Sequence, residues 1–267
     1  MKREVASVLE FEVTEATRVE MKIAVANPGD AEVRESMRVV HNDDEITPRE
    51  IVVEHGTRIH MLDCAPGKVK VEYSATVHGS FPVTPVTDAD LSMYLRPSRY
   101  AEADRFFGFA ASRFGSPEPD AETLARIVEF VEQHLVYTPG TSRGTDSATD
   151  TLLTGAGVCR DYAHLTIALL RAVNIPARLV SVFAPGCSPM DFHAVTEAYV
   201  DGAWHVVDPT RLAPRSSLVR IATGRDAADT AFLDNHGGSL TLRSSRVTAG
   251  VGGDLPVDDY ASQISLG

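Results

Sequence analysis

A change of hydrophobic period part-way along the chain constrains its fold more than any other feature. In "TRVEMKIAVAN" Val19, Met21, Ile23 and Val25 alternate with Glu20 and Lys22, and in "KVKVEYSATV" Val69, Val71, Tyr73, Ala75 and Val77 repeat the pattern. A period of two turns one face of a strand to a core and the other to water. The less regular runs "VRESMRVV", "EIVVEHG" and "RIHMLDC" lie between turn signals such as Asn27-Pro28-Gly29 and Ala65-Pro66-Gly67. Residues 1–90 therefore read as a β-sandwich-like domain. From about residue 91 the spacing turns helical. Pro97 and Ser98 are placed to start a helix through "RYAEADRFFGFAASRF", which Gly115 and Pro117 end. In "PDAETLARIVEFVEQHLVY" Asp120 can cap a helix whose apolar stripe is Leu124, Ile127, Val128, Val131 and Leu135. A polar, exposed and mobile loop follows in "TPGTSRGTDSATD".

A buried helix then begins near Cys159, with Leu165, Ala168, Leu169 and Ala172 at helical spacing, and Pro176 ends it. Three strand-like runs come next: "ARLVSVF", "HAVTEAYV" and "AWHVVD". Helices followed by an antiparallel sheet make residues 91–225 an α+β core. Residues 226–267 read as a C-terminal extension with a weak strand at "SLTLRSSRV" and a flexible tail.

Charge and cysteine usage narrow the partners. The formal net charge is −12, and an acidic surface repels phosphate backbones and anionic headgroups, which argues against nucleic acid and membrane surfaces. No apolar run is long enough to span a bilayer, and "MKREVASVLEFEV" alternates apolar with acidic residues where a signal peptide would be continuously apolar. Cys64, Cys159 and Cys187 are odd in number and unrelated in spacing, so they form neither a disulfide framework nor a zinc pair. These features lead us to expect a cytoplasmic protein.

Two readings of Cys159 stand side by side. It can be a small buried thiol helping to pack a helix. It can also be a nucleophile, because the glycines of "TGAG" turn the chain into the helix so that Cys159 sits in its first turn. There the free backbone N–H groups and the dipole favour a thiolate and could stabilise an oxyanion. A nucleophile of this kind needs an imidazole, and the imidazole needs an orienting group. His193 opens "HAVTEAYV" and Asp208 closes "AWHVVDPT"; the turn at Asp201-Gly202 folds these strands into a hairpin that brings the two residues together.

These residues carry a family resemblance. "GAGVCRDYAHLTIALLRAVNIPARLV" and "DFHAVTEAYVDGAWHVVDPT" resemble the transglutaminase-like family in its bacterial cysteine-protease-like branch, as do "YLRPSRYAEADRF" and "VYTPGT" upstream. The resemblance implies a papain-like core behind an N-terminal β-domain. It makes Cys159 the nucleophile, His193 the general base and later acid, and Asp208 the residue that orients His193. The implied chemistry is acyl transfer on amide or peptide bonds through a thioester, with a protein or peptide substrate and no cofactor. Hydrolysis is preferred; transglutamination, a non-catalytic binding module and an arylamine acetyltransferase-like activity are the alternatives. The second oxyanion donor and the oligomeric state stay open.

Other residues receive bland roles. His41, His55, His60 and His78 are read as surface or structural, His164 as core-facing and His205 as a surface residue. Asp161 is assigned a local ion pair with Arg160 or a capping role, and Cys187 a place in the loop before His193. Trp204 is expected to pack on the His193 strand and shield the His–Asp pair from water. Tyr137 and Tyr162 are candidates for the cleft wall.

Overall fold

The computed structural model describes residues 1–26, 32–79, 85–115 and 120–266. The turn expected at Asn27-Pro28-Gly29 and the helix stop at Pro117 lie outside them. The first part contains β1 (Lys2–Glu15), β2 (Thr17–Met21), β3 (Glu32–His41), β4 (Asp44–Ile46), β5 (Arg49–Val52), β6 (Arg58–Cys64) and β7 (Gly67–His78). Next come α1 (Asp88–Met93), α2 (Phe107–Phe114), α3 (Ala121–His134), β8 (Val136–Tyr137), α4 (Ala148–Thr154), β9 (Ala156–Gly157) and α5 (Cys159–Ala172). The chain continues through β10 (Ala177–Phe183), β11 (His193–Val200), β12 (Ala203–Val207), β13 (Val219–Gly224), α6 (Ala227–Thr230), β14 (Leu233–His236) and β15 (Ser239–Val251).

The period-two runs become strands with one buried face. Along β7, Val69, Val71, Tyr73, Ala75 and Val77 are buried, and along β1, Val5, Leu9, Phe11 and Val13 are. They belong to two antiparallel sheets, ordered β15-β1-β7-β3-β4 and β14-β2-β6-β5, whose inner faces share one apolar cluster. The outer strands of this sandwich come from the far end of the sequence. β15 pairs with β1 from Arg3↔Val251 to Glu15↔Ser239, and β14 pairs with β2.

Residues 226–267 are therefore not an appended extension with a weak strand. "SLTLRSSRV" is two-sided and mostly polar because it lies at a sheet edge, so the alternation that marks a half-buried strand is faint. The tail beyond it is docked. Val206 N–H donates to Ile264 O at 2.7 Å, Arg215 is paired with Asp258, and Leu266 is buried.

The core is an α+β unit, with the antiparallel sheet β12-β11-β10-β13 covered on one face by α5. α3 starts where Asp120 accepts from Thr123 N–H at 2.9 Å, and its stripe of Leu124, Ile127 and Val131 is buried. The helix expected from Pro97 forms only in its second half, as α2; residues 103–105 make one 3₁₀ turn, and a separate short helix, α1, precedes it. From Tyr162 to Arg171 every residue of α5 is buried. The helix stops before Pro176 does its work, because Asn174 takes the left-handed conformation (φ 64°) that terminates helices. Arg171 then stitches the helix end to its surroundings, donating to the carbonyls of Ala177, Arg96 and Arg225.

Candidate active site

Cys159 is the first residue of α5, and the chain reaches it through a tight approach. α4 ends at Gly155 in the left-handed region (φ 67°), and β9 pairs in parallel with β8, Tyr137 facing Gly157 in register. Asp161 fastens the helix start. Its Oδ2 accepts from Val158 N–H at 2.8 Å and its Oδ1 from Ser142 Oγ at 2.9 Å, and Arg160 pairs with it at 3.0 Å. Ser142 and Arg143 belong to the loop expected to be mobile, yet both are tied to Arg160. The cysteine itself is half-buried.

His193 begins β11 and Asp208 follows β12. The hairpin between them turns at Asp201 (φ 51°) and Gly202 (φ 81°), the left-handed pair that suits a two-residue turn. Its register sets His193 Nε2 2.7 Å from Asp208 Oδ2, with both side chains about 1% exposed. The other carboxylate oxygen, Oδ1, accepts from Thr210 N–H at 3.0 Å and Thr210 Oγ at 2.7 Å. Burial alone would drive the His193 imidazole toward its neutral form. The charge and hydrogen bond of Asp208, together with the Cys159 thiol, outweigh it and raise the pKa well above the usual value. Asp208 occupies Nε2, and Cys159 is the other side chain that interacts with the ring. The three residues singled out by the sequence are thus brought together from a helix start and two strand ends.

A cavity of about 340 Å³ adjoins Cys159 and His193. Its apolar walls include Leu179, Phe192 and Phe232, the last two stacked at 4.9 Å, and its space is created by Ala194, Ala227 and Ala231. The wall residues from 227 to 233 carry no sequence signal of their own; α6 and the entry to β14 bring them back to the site. Among the described residues, no group of three or more His, Cys, Asp or Glu side chains could hold a metal ion. Nor, among these residues, is any helix long and apolar enough to cross a membrane.

The remaining candidates divide. His164 is fully buried, accepts from Ala227 N–H at 3.1 Å and stacks on Tyr100. His60 is buried against Glu50, and the His55 side chain is buried beside Asp90. Cys187 is buried near Cys159 and His193, and burial pushes its thiol up. Tyr162 does not line the cleft: it is buried and donates to Leu135 O at 2.8 Å. Tyr137, paired with Gly157 across β8 and β9, brings its phenol toward the backbone N–H of Cys159, although it is not among the residues lining the cavity.

Two expectations are corrected. His205 is buried, not on the surface, because the face of β12 it shares with Val207 lies at the floor of a cavity walled by α3 and by tail residues Tyr260 to Gln263; neither of its ring nitrogens has a hydrogen-bond partner among the described residues. Trp204 does pack on the His193 strand, its ring 5.5 Å from that of Tyr199, but at the turn end of the hairpin, too far along to shield His193. It lies instead under the guanidinium of Arg178, 4.1 Å from its ring, with Tyr94 edge-on at 5.6 Å.

Residues 109–209 match the family model of the Transglutaminase-like superfamily. Along nearly its whole length the chain resembles a solved structure from Cytophaga hutchinsonii, named a "putative cysteine protease". The two are 32% identical with a TM-score of 0.89, over 98% of this chain and 96% of that one. An uncharacterized protein of Mycobacterium leprae is 28% identical over 152 residues, 52% of this chain and 53% of that protein. An uncharacterized protein of Mycobacterium tuberculosis is 28% identical over 156 residues, 52% of this chain and 49% of that protein. The matches thus span about half the length of these curated relatives. With a near full-length match to the Cytophaga structure and a family match across the Cys159–Asp208 region, the chain belongs to the transglutaminase-like superfamily.

Proposed function

We propose that the protein is a cysteine-dependent amide hydrolase, a peptidase or amidase. One observation carries the reading: a half-buried thiol at a helix start faces an imidazole whose Nε2 is held by a buried carboxylate. In this reaction the Cys159 thiolate attacks the amide carbon, and the carbonyl electrons move to oxygen. When the tetrahedral adduct collapses, the C–N bond breaks and the His193 imidazolium gives its proton to the departing amine. The acyl group remains on Cys159 as a thioester. His193, now neutral, takes a proton from water as the water attacks, and collapse releases the carboxylic acid and restores the thiol. Asp208 holds the ring in one orientation and stabilises its charged form.

The cavity beside Cys159 fits an apolar side chain on the acyl part of a peptide, with Ala194, Ala227 and Ala231 leaving the room. If a lysine amine replaced water as acceptor, the same thioester would give transamidation. The comparison with the Cytophaga structure favours hydrolysis.

The test is cleavage of quenched fluorescent peptides by wild-type protein and by Cys159→Ala, with a primary amine added to compete with water. Cleavage that needs Cys159 and leaves a free acid supports the reading. Amine-capped product as the main outcome would make the protein a transamidase, and equal turnover by Cys159→Ala would overturn cysteine chemistry altogether.

A further inference from the structure

Attack at Cys159 leaves a negative charge on the former carbonyl oxygen. The backbone N–H of Cys159, at the start of α5, is one donor for it, but a single donor leaves much of the charge unmet. The surroundings of Cys159 offer few others. Ser142 Oγ donates to Asp161; Arg160 Nη2 is held by Ser142, Arg143 and Asp161, and Arg160 Nε, which has no hydrogen-bond partner among the described residues, is buried away from the open space of the cavity. Asp191 is an acceptor, and a thiol such as Cys187 is a weak donor.

Tyr137 differs from all of these. It sits on β8, pinned to the segment that runs straight into Cys159: Val136 N–H donates to Gly155 O, and Thr138 N–H to Gly157 O, both at 2.9 Å. The ring rests against Tyr162, centroids 6.0 Å apart, and Tyr162 is itself fixed by its bond to Leu135 O. The phenol oxygen faces the Cys159 backbone N–H, and its proton has no protein acceptor among the described residues. We infer that Tyr137 supplies the second oxyanion donor, so that the tetrahedral oxygen is held between the Cys159 backbone N–H and the Tyr137 O–H. Burial raises the phenol pKa and keeps that proton in place.

The assignment rests on the acyl-transfer reading above, and its mechanism is simple. The phenol bonds weakly, if at all, to the planar amide oxygen of the bound substrate, and fully to the oxyanion that moves toward it. It therefore favours the transition state over the ground state.

The experiment is Tyr137→Phe, which keeps the ring on Tyr162 and removes one hydroxyl. Three readouts are compared with wild type: peptide turnover, capture of a peptide aldehyde as a hemithioacetal on Cys159, and alkylation of Cys159 by iodoacetamide. Turnover should fall about 10²- to 10³-fold, mainly in kcat. Aldehyde capture should weaken in parallel, because it too creates an oxyanion, while alkylation, which creates none, should be unchanged. Undiminished turnover and capture would overturn the assignment while leaving the cysteine chemistry intact. Alkylation falling in step with turnover would also overturn it, by placing Tyr137's effect on the thiol. A wild-type protein that captured no aldehyde would overturn both readings together.

Discussion

Gly157 and Asp161 approach so closely that a Cβ built on the glycine would stand 2.6 Å from the Cβ of Asp161 and 2.7 Å from its Oδ2. The aspartate cannot swing away cheaply: it is 1% exposed and caps the helix start through Val158 N–H. Gly157 is therefore required for the packing of the turn, not for an unusual backbone angle. Gly157→Ala should cost about 1–3 kcal/mol through overpacking, and should slow alkylation of Cys159 because the turn into α5 must shift. Thermal unfolding and iodoacetamide kinetics would check this. An alanine variant with wild-type melting and wild-type thiol reactivity would contradict it.

Asp208→Asn replaces the charge beside His193 while keeping a side chain of the same shape. Asp208 is among the groups that raise the imidazole's pKa, so its removal should lower that pKa. The imidazolium is lost as pH rises, so the alkaline limb of the pH–turnover profile should move to lower pH. At its optimum the variant should lose on the order of 10²–10⁴ in kcat, the usual contribution of an oriented acid–base group. A limb that stays in place would mean Asp208 does not set the charge state of His193.

Much of this site was legible in the sequence because its signals are local. The helix start at Cys159 is announced by glycines and by a following apolar stripe, and the hairpin linking His193 to Asp208 by Asp201-Gly202. What escaped depends on contacts between distant segments. His205 alternates like a solvent-facing residue, and it is buried only because α3 and the distant tail residues Tyr260 to Gln263 wall off that strand face. Phe192 and Phe232 are 40 positions apart in sequence and meet only in the folded wall. The N-terminal strands were readable by alternation, but their edge partner β15 was not. Its exposed face and Gly-Gly approach carry no period, and its identity comes from pairing with β1 across the length of the chain.

Ala231→Phe should fill part of the cavity beside Cys159 without touching the thiol or His193. Peptides with a bulky apolar acyl-side residue should lose kcat/KM by about 10-fold or more, the usual scale for a pocket that has lost its room, while those with a small residue should change little. Iodoacetamide, which needs no pocket, should alkylate both proteins alike. Uniform loss across all peptides would place the cavity outside the substrate path.

Glu197 is a buried carboxylate clamped by Arg178 Nε at 2.7 Å and Arg220 Nη2 at 2.6 Å, on the sheet face away from α5. Burial opposes its ionisation, but the two guanidinium groups overcome that and hold its pKa at about 2, below the usual 4.5. Between those values the unfolded chain binds a proton that the folded protein does not. The stabilisation is therefore complete above the unfolded value and is lost as pH falls toward about 2. Glu197→Gln leaves two buried arginines without their anion and should cost about 3–5 kcal/mol near neutral pH. Urea unfolding at about pH 7 and about pH 3 should show the gap between wild type and variant shrinking at the lower pH, because at pH 3 only the unfolded wild type gains a proton at this position, which favours unfolding of the wild type and not of the variant. A gap of the same size at both would show that the arginines are neutralised by something other than Glu197.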